Sequence, residues 1–264
     1  MIRQLNESDR KKTQTFLKRN STYNIFMIGD IEMFGFDKPF QTIYGEFEAD
    51  TLVSMMLIYH DNVCYYSQKS QLNDEFLPIL NTHTYRHISG EARIIQQFKS
   101  SHPNFSEQLL YFCENKDQLQ ATTVPSYITY ATDEEDFKKV YQLLKTIDEF
   151  DIKNQSEEDY VKKHLKWTKG HTKLYIEKDN QAIATATVTS ETSENGMLVG
   201  VATHKDYRNK GYASELIQAL NTIFIAQKHK SLCLFYDNPQ AGSIYHRLGY
   251  QTIGQWMMLR KQAS

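Results

Sequence analysis

Residues 197–227 set an apolar run, a basic loop and an amphipathic stretch in immediate succession, and this unit constrains the chain more than any other. Met197, Leu198, Val199 and Gly200 read as a buried strand, and Leu216, Leu220, Ile223 and Phe224 recur downstream at helical spacing. Between them run Val201, Ala202 and Thr203 and then a loop bearing Lys205, Arg208 and Lys210. A strand, loop and helix in this order gather backbone N–H groups at a helix N-terminus, where the aligned peptide dipoles add to the attraction for a phosphate. Gly211 removes the side chain that would block a close approach, and Ala213 keeps the groove open. On the residues alone, an anion site and an ordinary solvated loop both stay open.

The stretch Arg208-Asn209-Lys210-Gly211-Tyr212-Ala213 resembles the R/Q-x-x-G-x-G/A signature of the GCN5-related N-acetyltransferase family, with Ala where the final Gly is commoner. The resemblance implies that Arg208, Asn209, Lys210, Gly211, Tyr212, Ala213 and Ser214 cradle the pyrophosphate of acetyl-CoA. It implies equally that backbone amides of Val201, Ala202 and Thr203 bind the pantetheine arm and polarise the thioester carbonyl. A second segment is similar to the family's N-x-x-A-x-x-x-Y-x-x-x-G-F/Y pattern at Asn238, Ala241, Tyr245, Gly249 and Tyr250. Asn238 is a good helix cap, and Pro239 suits the first helical position, where its missing donor costs nothing. By resemblance Asn238 contacts the pantetheine arm and Tyr245 is the general acid at the thioester sulfur. A packed aromatic at a helix end is the other reading of Tyr245.

The length, 264 residues with 40% apolar and 12% aromatic content, exceeds the usual single domain. From 126 onward the pattern reads β-α-α-β-β-β-α-β-α-β, the full order of one such domain, with a capping box at 132–135 and apolar faces that include Val161, Leu165 and Trp167. Before it, helices near 11–18 and 24–35 precede a hairpin turning at Ala49 and Asp50. Helical pieces are expected at 74–80, at 91–100 and from 107 onward, with a strand at 86–90. No glycine follows the strand that holds Cys64, so a phosphate loop is missing there. We expect residues 1–125 to form a degenerate acetyltransferase-like domain and 126–264 the catalytic domain. The fold class is α/β (α+β): a mixed, mostly antiparallel central sheet flanked by helices, the acyl-CoA N-acyltransferase fold.

Amine acylation needs a proton acceptor, a donor at the carbonyl oxygen and a proton for the leaving thiolate. For the base the sequence offers Glu191, Glu149, Glu194 and His204, each also readable as structural or solvent-facing; Cys233 lies in an apolar strand and reads as core. Glu149 and Asp151 form an acidic loop that either attracts a cationic amine or is merely solvated. A net charge of -2 gives no footprint for nucleic acid or an acidic membrane. No segment nears the roughly 18 apolar residues of a membrane span, and no secretory leader is recognisable. Three scattered cysteines argue against a disulfide framework and for the cytoplasm, and His60, His83 and His87 lack metal-ligand spacing. The expectation is an N-acetyltransferase using acetyl-CoA and no metal, acting in a ternary complex on a primary amine of a small molecule or peptide. A non-catalytic acyl-CoA sensor and a tandem-fold aminoacyl transferase are the alternatives. Oligomeric state stays open, a homodimer included.

Overall fold

The run Thr51–Tyr59 has no polar face, and the reason is visible in its neighbours: Met55 and Leu57 pack on one helical layer while Met56 and Ile58 pack on another. A strand covered on both sides loses the usual alternation of apolar and polar residues. In a computed structural model that describes all residues except 118–122, 151, 153, 168–169 and 263–264, and all side chains but those and Ala241, the chain forms two units. One comprises Met1–Cys113, Phe235–Asn238 and Thr252–Ser264, the other Glu114–Leu234 and Pro239–Gln251.

The chain begins with β1 (Ile2–Gln4), α1 (Arg10–Lys18), α2 (Ile25–Phe34), β2 (Gln41–Glu48), β3 (Thr51–Tyr59) and β4 (Asn62–Ser67). It continues through α3 (Phe76–Leu80), β5 (His87–Glu91), α4 (Ala92–Ile95) and β6 (Phe105–Asn115). The second unit opens with β7 (Ile128–Tyr130), α5 (Glu134–Lys145), α6 (Glu157–Lys166), β8 (Thr172–Lys178), β9 (Gln181–Thr189) and β10 (Asn195–Thr203). Then come α7 (Tyr212–Asn221), β11 (Ser231–Tyr236), α8 (Pro239–Arg247) and β12 (Gln251–Lys261). The order β-α-α-β-β-β-α-β-α thus occurs twice. Pairing repeats with it: β1 to β4 run antiparallel and β4 meets β5 in parallel, as β7 to β10 run antiparallel and β10 meets β11 in parallel. The last strand, β12, pairs antiparallel with β5 from Trp256↔Glu91 to Arg260↔His87, so the first unit contains the end of the chain.

Local chemistry explains most boundaries. The β2–β3 turn uses Ala49 and Asp50 at positive φ, the hairpin geometry whose twist matches the strands. Asp133 caps α5 by accepting the Asp136 N–H at 3.0 Å, and the Asp136 carboxylate accepts the Asp133 N–H, a capping box one residue later than the sequence reading. Residues from 107 on are strand rather than helix. Leu109 and Tyr111 are exposed while Leu110 and Phe112 are buried, a period of two that sheet pairing imposes over local propensity. In α6 the buried residues are Tyr160 and Val161, whereas Leu165 and Trp167 are exposed.

In the second unit α5 and α6 cover one face of the sheet through Phe137, Val140, Tyr141, Leu144, Tyr160 and Val161. Near the start of β10, Gly196 leaves no room for a side chain: a Cβ there would lie 2.6 Å from Val188 Cγ1 and 3.4 Å from Phe224. Asn195 and Gly196 belong to β10, and the turn before them is held by Thr192 Oγ1, which accepts the N–H groups of Glu194 and Asn195. Past α7 a π-helical segment, Thr222–Gln227, continues the element. The buried Asn221 accepts the Tyr250 hydroxyl at 2.9 Å and so ties α7 to the end of α8.

Two stability tests follow from this packing. Tyr250→Phe leaves Asn221 Oδ1 without that donor and is expected to cost about 1–3 kcal/mol, read as a lower urea midpoint. Glu191, its side chain 16% exposed, accepts Lys230 at 2.7 Å and Lys228 at 3.0 Å. Burial works against its charge, yet hydrogen bonds from Lys230 and Lys228 outweigh it and hold the carboxyl below the ordinary 4.5. The folded state binds this proton less readily than the unfolded chain. Its contribution is therefore complete above the unfolded carboxylate value and is lost as pH falls through the folded one. Glu191→Gln should lower stability by about 1–2 kcal/mol at pH 7, discounted for the partly exposed lysines, and by progressively less as pH falls below the ordinary carboxylate value. Equal midpoints at pH 7 would contradict this.

Candidate active site

Strands β10 and β11 pair in parallel only from Asn195↔Ser231 to Met197↔Cys233. On its other edge β10 keeps pairing with β9, but its register shifts between Val199 and Ala202. This is a bulge: Gly200 stands within it at φ +62°, a conformation that favours glycine. The bulge bends β10 at the point where the ladder to β11 has ended, so from Val199 to Thr203 the β11-facing edge offers main-chain groups to a ligand. Val201, Ala202 and Thr203, to which the resemblance assigns the pantetheine arm, lie within this stretch.

Thr203 leads into a single 3-10 turn, Lys205–Tyr207, and then the loop that starts α7. The Arg208 Nε donates to Thr203 O at 3.2 Å and Lys210 Nζ to Asp206 O at 2.9 Å, so both cations pin the loop they belong to. Asn209 at φ +61° and Gly211 at φ +91° turn the backbone twice through the left-handed region. That alternation curls successive amides toward one side, the geometry of an anion nest. Gly211 is the N-cap of α7 and supplies no side-chain acceptor, which leaves the first-turn amides of Tyr212, Ala213 and Ser214 without a capping partner from it. A Cβ on Gly211 would meet only Glu215 Oε1 at 3.8 Å, so its requirement is the left-handed φ rather than crowding. The Arg247 Nη2 of α8 reaches Ser214 Oγ at 3.4 Å, a cation at the same helix end that the motif did not point to.

Tyr245 lies half-buried on α8, its ring 6.0 Å from that of Tyr250, and its carbonyl accepts the Tyr250 N–H. Asn238 is exposed and immediately precedes Pro239, the first residue of α8. Of the two other motif positions, Ala241 lies on α8 and Gly249 follows it at φ +93°.

A cavity of about 410 Å³ opens beside the bulge and reaches Val199 and Gly200. Its ceiling is aromatic: Phe137 of α5, Phe150, Tyr160 and His164 of α6, and Trp167 at the C-cap of that helix. Its floor includes Lys173, Thr187 and Thr189 on β8 and β9, and His171 beside them stacks on Trp167 with ring centroids 5.0 Å apart. Burial lowers the His164 pKa to about 4, helped by the nearby Lys173, and lowers that of His171 as well. With its Nδ1 placed 2.8 Å from Tyr160 O, neutral His164 donates there, and its Nε2 is the acceptor. Burial also brings Lys173 down to about 8.

Four sequence candidates for the base fall outside this cavity lining. Glu191 is held by its two lysines, and Glu194 sits in the turn before β10, at the opposite end of that strand from the phosphate loop. Glu149 is exposed in the loop after α5, although its neighbour Phe150 lines the cavity; Asp151 lies outside the described residues. His204 Nδ1 accepts the Asp206 N–H at 3.4 Å and caps the 3-10 turn. Cys233 is fully buried, with burial raising its thiol pKa far up, and is core. Lys173, His164 and Arg247 were missed. The available signal was Lys173 itself, a lone cation next to the apolar run Leu174, Tyr175 and Ile176. Among the described residues no cluster of His, Cys, Asp or Glu can hold a metal ion, and no helix is long and apolar enough to cross a membrane.

Residues 137–250 match the Acetyltransferase (GNAT) family. No curated protein matches the chain. Among solved structures, a Drosophila protein is similar at a TM-score of 0.66 and 13% identity, with 99% of each chain covered. A GCN5-related N-acetyltransferase from Sphaerobacter thermophilus is similar at 0.60 and 12% identity, covering 99% of this chain and 95% of that one. A tandem GNAT protein from the clavulanic acid biosynthesis pathway is similar at 0.58 and 11% identity, covering 100% and 99%. At such identities the likeness is one of fold, and it extends over both units. The bulged strand, the uncapped helix and the matching segment agree: residues 137–250 are a domain of the acetyltransferase (GNAT) family.

Proposed function

We propose that the protein transfers an acetyl group from acetyl-CoA to a primary amine held in the aromatic cavity, both reactants being bound at once. The observation that carries this reading is the parting of β10 from β11 after Met197, directly followed by the glycine-capped start of α7. Amides 212–214, with Arg208, Lys210 and Arg247 nearby, take the pyrophosphate; charge-assisted hydrogen bonds to main-chain donors are the strong kind. Main-chain groups of Val201, Ala202 and Thr203 align the pantetheine arm and polarise the carbonyl.

The amine nitrogen attacks the thioester carbon, the C–S bond breaks, and the Tyr245 hydroxyl gives its proton to the departing sulfur. The proton released by the nitrogen passes through water back to Tyr245. Cationic and neutral bases line the cavity, and a positive surrounding lowers an amine's pKa, so the acceptor enters deprotonated without help from Glu191 or Glu149. The first unit, whose helix α3 after β4 spans only Phe76–Leu80, is a degenerate copy that completes the fold without holding a cofactor. Three free cysteines suit a reducing cytoplasm.

Gly211→Leu is expected to weaken acetyl-CoA binding by about a hundredfold or more, the loss of two or so charge-assisted hydrogen bonds, while the protein remains folded at a somewhat lower melting temperature. Calorimetric titration reads this, and unchanged affinity removes the pyrophosphate assignment. Tyr245→Phe should reduce kcat by roughly 10²-fold or more and leave acetyl-CoA affinity unaltered. A fully active variant would strip that hydroxyl of its role, and binding without any turnover in the wild type would make the protein an acyl-CoA sensor.

A further inference from the structure

Lys173 faces a cavity whose other described lining residues include no carboxylate. Its Nζ donates to Thr187 Oγ1 at 2.8 Å, and among the described residues no carboxylate forms an ion pair with it. A partly buried cation without a counter-charge costs the fold some stability, and such a cost is kept where a ligand supplies the missing charge. A second group nearby is also unsatisfied. Tyr160, 3% exposed and part of the same lining, has a buried hydroxyl with no hydrogen-bond partner among the described residues.

The sheet register fixes where that charge would sit. Lys173 pairs with Thr187, and Thr187 with Val199, so the three residues form one row across β8, β9 and β10. Directly opposed residues put their side chains on the same face. Adjacent strands lie about 4.8 Å apart, and the hydrogen bond to Thr187 leans the ammonium toward β10. An anion on Lys173 Nζ therefore lies about one strand spacing from the bulge at Val199 and Gly200. That interval matches the short reach from a carboxylate to an amine on the adjacent carbon. The remaining volume is walled by Phe137, Phe150, Tyr160 and Trp167, and about 410 Å³ falls within the range of small-molecule sites.

We propose that the acceptor is an α-amino acid with an aromatic or branched apolar side chain, its carboxylate on Lys173, its α-amine at the β10 bulge and its side chain under α6. This rests on the acetyl-transfer reading above. It disfavours polyamines and other polycations, which would bring charge of the same sign to Lys173.

The test compares the common L-amino acids with their decarboxylated amines, phenylalanine with phenethylamine and leucine with isopentylamine among them, and adds spermidine. Initial rates with acetyl-CoA and calorimetric binding are measured for wild type, Lys173→Met and Lys173→Arg. In the wild type at least one apolar amino acid should exceed its own amine by about tenfold or more in kcat/KM, as expected for one charge-assisted hydrogen bond. Lys173→Met should bring the two within about twofold of each other, and Lys173→Arg should keep part of the preference. Amines preferred in the wild type, a preference unmoved by Lys173→Met, or acetylation of spermidine alone would overturn the proposal while leaving acetyl transfer intact. Absence of acetyl-CoA binding would instead remove the earlier reading, and with it this one.

Discussion

The site depends on two parallel strands that pair and then part. Between Asn195 and Met197 the ladder to β11 is intact, and after it the bulge at Gly200 turns β10 away. A parallel sheet whose ladder ends inside a domain must satisfy its freed main-chain groups, and a ligand lying along the strand does so. Everything else serves that gap. The buried Asn221–Tyr250 hydrogen bond fixes α8 to the end of α7, which in turn lets Arg247 reach the start of α7. At the other end of β10, the Glu191 ion pairs tie the loop after β9 to Lys228 and Lys230 ahead of β11.

The two units repeat one order of elements, but their phosphate-loop positions differ in a way that chemistry explains. In the second unit a left-handed Gly211 opens a helix that runs through Asn221 and on into a π-helical segment. In the first, the strand holding Cys64 is followed by Gln68, Lys69, Ser70 and Gln71, and the helix that comes next is only Phe76–Leu80. A short helix sums few peptide dipoles, and a loop lacking glycine there does not easily curl its amides around a phosphate. The same architecture is thus kept by its apolar pattern, while the left-handed turn that opens α7 is set by a handful of loop residues.

Much of the fold was legible because its signals are local. Ala49 and Asp50 mark a hairpin, Ser156 marks a helix start, the box at 132–135 places the start of α5 within one residue, and Gly211 within a basic loop marks the start of α7. What was not legible is set by partners distant in sequence. Residues 105–115 carry apolar side chains dense enough for helix, and only sheet pairing makes them β6. The pairing of β12 with β5 joins residues far apart in the chain, and no local pattern encodes it. The cavity is assembled from α5, α6, β8, β9 and β10, so Lys173 and His164 gain meaning only when the register aligns Lys173, Thr187 and Val199. Conversely Glu191, which composition presents as a free carboxylate, is occupied by two lysines that follow it by more than thirty residues.

The most direct measurement is a crystal structure of the protein with coenzyme A. The account predicts pyrophosphate oxygens within about 3 Å of the amide nitrogens of residues 212–214, and the pantetheine arm lying along Val201 to Thr203 in the gap beside β11. Coenzyme A bound elsewhere, or a gap closed by neighbouring side chains with the α7 amides left to solvent, would contradict it.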